Sequence, residues 1–268
     1  VDPIEIIIRL TLGFVAGTVG GLAGLGGSII MLPALAWIYG YDDEDRTRHH
    51  VYMAAAMVVN VLVALSSSIK HAKKKAARRD VLLPLIPSMT FGMILGVLSS
   101  SETPGRWSLV AFAVFIWGYC LYNVVTTIKK MEDHPIDAPA PAAWKIVTIG
   151  LFVGAISGYL GIGGGILLVP LLQFSGVPLR HAIASSAGVM WISSIIGATL
   201  KLLSLRTITY ADGTTLTVTD AMSFAIPMGV GAIIGAYLGA MLTHKLKLPH
   251  LKLVIALILS IATIKMVA

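Results

Sequence analysis

Residues 22–33 read LAGLGGSIIMLP and residues 159–170 read YLGIGGGILLVP, so one glycine cluster occurs twice, each time a few residues before a proline. A glycine inside a helix costs about 1 kcal/mol relative to alanine, so such clusters serve something other than helix stability. Bare backbone lets the chain leave a helix sharply and lets a ligand come close to main-chain N–H groups. A short helix starting at Ser28 or Gly165 would present unsatisfied N–H groups and the positive end of its dipole. The chemistry this favours is anion binding. The candidate residues are Gly24, Gly26, Gly27 and Ser28 in one cluster, with Gly161, Gly163, Gly164 and Gly165 in the other. The competing account is close packing of helices through small residues. Two clusters matched in spacing, each opening a short helix, favour the anion site. Pro33 and Pro170 are expected to limit those short helices.

Other side chains offer less. Arg48, His49 and His50 open one later apolar run, and Arg180 and His181 open its counterpart. They fit a cationic entry gate on each face that recruits an anion, or ordinary snorkelling of long side chains to an interface. Lys70 and Lys201 read as flanking anchors. Asn60 and Asn123 fall inside apolar runs, where an amide needs a partner, and interhelical hydrogen bonds are expected. Trp117, Trp191 and Tyr119 read as packing, while Trp107 and Trp144 fit an interfacial aromatic belt.

A serine hydrolase is the reading from another class, with His181 one helical turn before Ser185. It lacks a G-x-S-G element, and Gly165 replaces Ser28 in the second cluster, so no catalytic residue is assigned. No phosphate-binding G-x-x-x-x-G-K-[ST] loop occurs, so ATP is not expected to act on this chain. Cys120 is the one cysteine, which leaves neither an intrachain disulfide nor a cysteine-built metal site. No metal and no cofactor are expected.

The elements that must position these groups are membrane spans. Of 268 residues 56% are apolar and 12% charged, about half the charge of a soluble domain. Mean hydropathy is +0.86. Runs such as 81–99, 107–128 and 221–242 are long enough to cross a hydrocarbon core as helices. The opening VDPIEIII has neither a basic region nor a cleavage motif, so no cleavable leader is expected. The net charge of +7 sits in short loops and points to a membrane surface, with no nucleic-acid partner.

Ten helical segments form two sets of five: 5–23, 28–39, 48–70, 81–99 and 107–128, then 144–160, 165–175, 181–203, 221–242 and 250–267. The fold class is an all-α polytopic membrane protein of two inverted-topology repeats, each with a glycine-broken short helix or hairpin. Residues 1–128 form repeat one, 129–144 a proline-rich cytoplasmic linker, and 145–268 repeat two. Echoes beyond the glycines include Lys70 with Lys201, Pro87 and Gly96 with Pro227 and Gly235, and Asp80 with Asp220 at helix-cap positions.

Lys70, Lys73, Lys74, Lys75, Arg78 and Arg79 crowd one loop, placed in the cytoplasm by the positive-inside rule. The linker and the loop with Lys245 and Lys247 read as cytoplasmic too, whereas 202–219 is poor in positive charge and reads as extracytoplasmic. The repeats are therefore inverted, as in secondary transporters. If segments three to five each span once, segments one and two must enter and leave on one face. Each glycine cluster is then a hairpin tip at membrane depth, with both termini extracytoplasmic.

GLAGLGGSIIMLPAL, GYLGIGGGILLVPLL, RHAIASSAG and the basic loop before LLPLIPSMTFGMILG together resemble the sulfite exporter TauE/SafE family of membrane permeases, across almost the whole chain. That resemblance implies a transporter of sulfite, sulfoacetate or other organosulfonates in a prokaryotic cytoplasmic (inner) membrane. An anion channel or an uptake permease for a related oxyanion is the alternative. It also implies a substrate-touching serine early in the third segment, matched by Ser185 and Ser186 in repeat two but by Ala55 in repeat one.

Overall fold

The computed structural model describes residues 2–23, 26–73, 78–129, 134–136, 138–139, 141–210, 212–242 and 263. Segment ten apart from Thr263 lies outside the described residues, as do Gly24, Lys74, Lys75, Lys245, Lys247 and positions 130–133, 137 and 140 of the linker. The described chain is nearly all helical: α1 (Pro3–Ala23), α2 (Ser28–Tyr39), α3 (His49–Lys73), α4 (Arg79–Ser101), α5 (Gly105–Lys129), α6 (Ala143–Leu160), α7 (Gly165–Phe174), α8 (Leu179–Ser204) and α9 (Val218–Leu242). Seven of these are long and apolar enough to cross a membrane, while α2 and α7 are shorter apolar helices. Large apolar side chains such as Leu83, Val114, Leu121, Phe152 and Ile226 are exposed, as a lipid-facing surface requires.

Side-chain contacts fix the directions of the helices. The α2 end returns to the α1 start, because Tyr39 Oη accepts a hydrogen bond from Arg9 Nε at 3.2 Å. The α1–α2 pair therefore opens at one end of the bundle, end A. At the opposite end, end B, the Phe174 ring of α7 meets Tyr122 near the α5 terminus. The α6–α7 pair opens there. Met57 of α3 lies beside Gly197 of α8, while His50 lies beside Lys201, so α3 and α8 run antiparallel.

Two glycine seams hold the bundle. A side chain at Gly13, Gly17 or Gly21 of α1 would collide with the backbone of Met228, Ala232 or Ala236 of α9. Gly150, Gly154 and Gly158 of α6 lie in the same way against Ser88, Met89 and Met93 of α4. Both helix pairs are parallel, and both rest on close backbone approach, the packing that small residues permit in lipid. Each row has four-residue spacing, which keeps its glycines on one helix face. Exchanging the two sets of helices maps α1 on α9 onto α6 on α4.

Three local readings are corrected. Pro33 and Pro170 lie inside α2 and α7 and do not end them. Each removes a single helix hydrogen bond, which buried neighbours tolerate. Asp80 and Asp220 stand in the first turns of α4 and α9, not at the caps. Thr217 caps α9 instead, accepting from Asp220 N while the Asp220 carboxylate accepts from Thr217 N at 3.1 Å. Trp117 is half exposed on α5, on the lipid side and not in the core.

Candidate functional site

Both glycine clusters are breaks between helices, and they converge. Gly26 has φ +80° and Gly164 φ +75°, left-handed values that a side chain resists. A Cβ at Gly26 would stand 3.1 Å from Asn60 Oδ1 and 3.5 Å from Met190 Cε. One at Gly163 would stand 2.9 Å from the same Met190 Cε and 3.2 Å from Asn60 Nδ2. Asn60 of α3 and Met190 of α8 thus lie between the breaks, deep in the protein.

The two breaks differ in how their N–H groups are satisfied. Asn60 Oδ1 accepts from Gly27 N at 2.9 Å and Ser28 N at 3.2 Å, and Asn60 Nδ2 donates to Ser28 Oγ at 2.7 Å. The side-chain amide of α3 therefore occupies the anion-like position at the α2 N-terminus, and Gly27 and Ser28 are not free donors as the sequence led one to expect. No side chain among the described residues caps α7. Beside Gly164 lies Ser157 Oγ, 2.9 Å from where its Cβ would be. Ser157 is fully buried, and its hydroxyl has no partner among the described residues. Gly161, with φ +70°, closes α6 in the left-handed conformation, and Gly165 opens α7.

Ser185 and Ser186 are both fully buried on α8. Ser186 Oγ lies 3.5 Å from Met190 Sδ, which ties it to the residue between the breaks. Ser185 Oγ has no partner among the described residues, so the His181–Ser185 pair of the hydrolase reading does not form.

The two cationic groups stand at opposite ends of the antiparallel α3 and α8. At end B, Arg180 is exposed and His181 partly buried. At end A, Arg48 pairs with Asp42 at 2.7 Å, which leaves its charge partly neutralised. His49 and His50 are fully buried and are not interfacial anchors. His49 Nδ1 meets Tyr41 Oη at 3.1 Å, while Nε2 has no partner among the described residues. Burial first, then neighbouring Tyr52, pushes the Tyr41 hydroxyl far above its ordinary range, so it stays a neutral phenol. A cavity of about 560 Å³ opens nearby, lined by Tyr41, Asp42, Asp43, Glu44 and Arg46. Its acidic wall suits a vestibule and not an anion site. Asn123 hydrogen-bonds Tyr119 O on its own helix, and not across helices.

The profile of the sulfite exporter TauE/SafE family matches residues 9–266. The chain belongs to that family. A protein of Methanocaldococcus jannaschii described as a probable membrane transporter is 27% identical over 264 residues, covering 97% of this chain and 92% of that one. A second so described, YunE of Bacillus subtilis, is 25% identical over 94% of each chain. A third, MamO of Paramagnetospirillum magneticum, is 24% identical over 98% of this chain but 44% of its own length. No solved structure matches. With its membrane-long helices, this TauE/SafE member is an integral membrane transporter.

Two buried cations of this TauE/SafE protein escaped the sequence reading. Lys201 is fully buried and is not a flanking anchor. Its Nζ donates to Ser100 Oγ at 2.9 Å and Ser101 Oγ at 3.3 Å, and lies 3.0 Å from His50 Nδ1. Arg9 is buried on α1, paired with Glu5 at 2.7 Å and set 4.2 Å from the Phe224 ring centroid. Its signal was an arginine inside an apolar run with an acid one turn earlier.

Proposed function

We propose that this transporter exports small sulfur-containing anions, such as sulfite, sulfoacetate or other organosulfonates, across a prokaryotic inner membrane. The anion binds near the midplane at the second glycine break. The observation that carries this reading is the α7 N-terminus, which has no side-chain cap and has the buried, partnerless Ser157 hydroxyl beside Gly164. Backbone N–H groups, the helix dipole and a hydroxyl donor suit three clustered acceptor oxygens. Ser185 and Ser186 add hydroxyls on the neighbouring α8, and Asn60 Nδ2 offers a donor from the side of the first break. The capped first break holds the opposite wall.

Alternating access between the two ends is supported by the two hairpins, one opening at end A and the other at end B. That arrangement is what an inverted repeat produces. Loop charge places end B in the cytoplasm, where Arg180 would recruit the anion. Both buried cations, Arg9 and Lys201, sit toward end A, ahead of an anion moving outward. An inside-negative potential favours that direction by about 2.3 kcal/mol per charge per 100 mV. An anion channel is the second reading, separated by whether flux saturates.

The test is a panel of sulfite, sulfate, thiosulfate, sulfoacetate, taurine and acetate, read by thermal shift and calorimetry on purified protein. Saturable binding of sulfite or a sulfonate, weakened by Ser157→Ala and lost in Gly164→Leu, supports the site. Binding unchanged in both variants refutes it.

A further inference from the structure

A buried lysine with no carboxylate partner among the described residues needs an explanation. Lys201 lies in the last turn of α8, yet its ammonium reaches across to α3 and α4 and not to its own helix carbonyls. Ser100 and Ser101 are the final residues of α4, so the negative ends of α4 and α8 both face the amine. Ser101 in turn holds Ser204 at 2.9 Å, tying the seam together. These contacts occupy the protons of the ammonium without a counter-anion.

The third contact gives one of those protons a second resting place. His50 Nε2 lies 3.1 Å from Thr103 O, an atom that can only accept, so Nε2 carries a hydrogen. His50 Nδ1, 3.0 Å from Lys201 Nζ, is then the ring's lone pair. The imidazole bridges a fully buried amine and the α4–α5 loop at end A, where Thr103 is partly exposed. The titratable group facing the pair is His49 beside His50, itself facing Arg46 before α3; α4 supplies only serines, and α8 adds Ser204.

We propose that Lys201 and His50 form the proton-carrying site that couples transport to a pH gradient, an inference that rests on the transport reading above. One N–H bond breaks on Nζ and one forms on Nδ1, leaving a neutral amine and an imidazolium. The imidazolium then gives its Nε2 proton to water at the Thr103 loop, and the ring returns to neutrality. One proton and one positive charge leave the seam at end A, and coupling requires that the amine be reloaded by a proton arriving from end B when the helices rock. Because the seam joins α3, α4 and α8, its charge state bears directly on how the two sets of helices rock.

Proteoliposomes loaded with sulfoacetate, which stays fully ionised near neutral pH, test this with voltage clamped by potassium and valinomycin. The wild type is expected to move sulfoacetate down an imposed pH gradient, with matching proton movement reported by an internal dye. Lys201→Arg keeps the charge but cannot release it. His50→Gln keeps both hydrogen-bonding positions without a proton relay. Both variants should retain sulfoacetate exchange at equal pH and lose the response to the gradient. A retained gradient response in Lys201→Arg, or wild-type flux indifferent to the gradient, overturns the coupling. Absence of flux for every anion in the wild type would instead overturn the transport reading. The pair is then judged without substrate, from melting temperature against pH. Curves for wild type and Lys201→Arg that diverge across the neutral range support an exchangeable proton, and parallel curves refute it.

Discussion

Replacing Asn60 separates the structural work of the first glycine break from its influence on the anion. Asn60→Leu strips acceptors from two buried N–H groups, of Gly27 and Ser28, and the donor from Ser28 Oγ. A buried group left unpaired costs about 1–3 kcal/mol, and interhelical bonds in membranes fall toward the low end, so the loss is about 3 kcal/mol in all. At roughly 2–4 °C per kcal/mol for a chain of this size, the melting temperature should fall by about 6–12 °C. Asn60→Asp keeps the acceptor for both N–H groups but loses the bond to Ser28 Oγ and buries a carboxylate with no cation beside it, which is costly. It also sets a negative charge 3.2 Å from the Cβ position of Gly163, against the proposed anion. Thermal melts in detergent and calorimetric titration with sulfite read the two effects. The expectation is that both variants melt below the wild type and that the Asp variant no longer binds anion. A Leu variant that melts with the wild type, or an Asp variant that binds sulfite as the wild type does, would refute the reasoning.

Three further outcomes are expected. Gly163→Ala should cost less than Gly164→Ala, because its Cβ meets the end of the flexible Met190 side chain and crowds Asn60 only at 3.2 Å, whereas Gly164→Ala should cost about 1–2 kcal/mol because φ is +75° and Ser157 Oγ stands close by; paired melts check this. Gly17→Leu should wedge α1 from α9 and abolish the folded peak in size-exclusion chromatography, since the Ala232 backbone occupies the space. In the exposed loop before α9, hydrogen bonds from the Thr214 hydroxyl and N–H hold the Asp212 carboxyl below its ordinary range. The order this turn gains is present above the ordinary carboxylate range and fades as pH falls through the lowered value; amide exchange at Thr214 should speed up correspondingly.

Segment boundaries were legible because apolar length and helix breakers are local signals. Segment two, 28–39, coincides with α2, and the other described segments differ by at most a few residues at their ends. The glycine breaks were legible for the same reason. The cap on α2 was not, because Asn60 lies 33 positions from Gly27 and only the fold brings them together. Lys201 and His50 were placed at interfaces because each stands near the end of an apolar run, and sequence carries no record that α4 ends beside both. The seam glycines could have been found. Gly13, Gly17 and Gly21 recur as Gly150, Gly154 and Gly158 at the same offset that relates Gly26 to Gly163, a repeat hidden by attention to the denser clusters.

The central claim is that main-chain amides at the second break hold the anion. Selenite has the shape and charge of sulfite and scatters anomalously at the selenium edge, so diffraction from crystals grown with it would locate the site directly. An anomalous peak is expected within hydrogen-bond reach of the Gly164, Gly165 and Ile166 amides and the Ser157 hydroxyl. A peak at Arg180 or Lys201, with none at the α7 N-terminus, would contradict that claim.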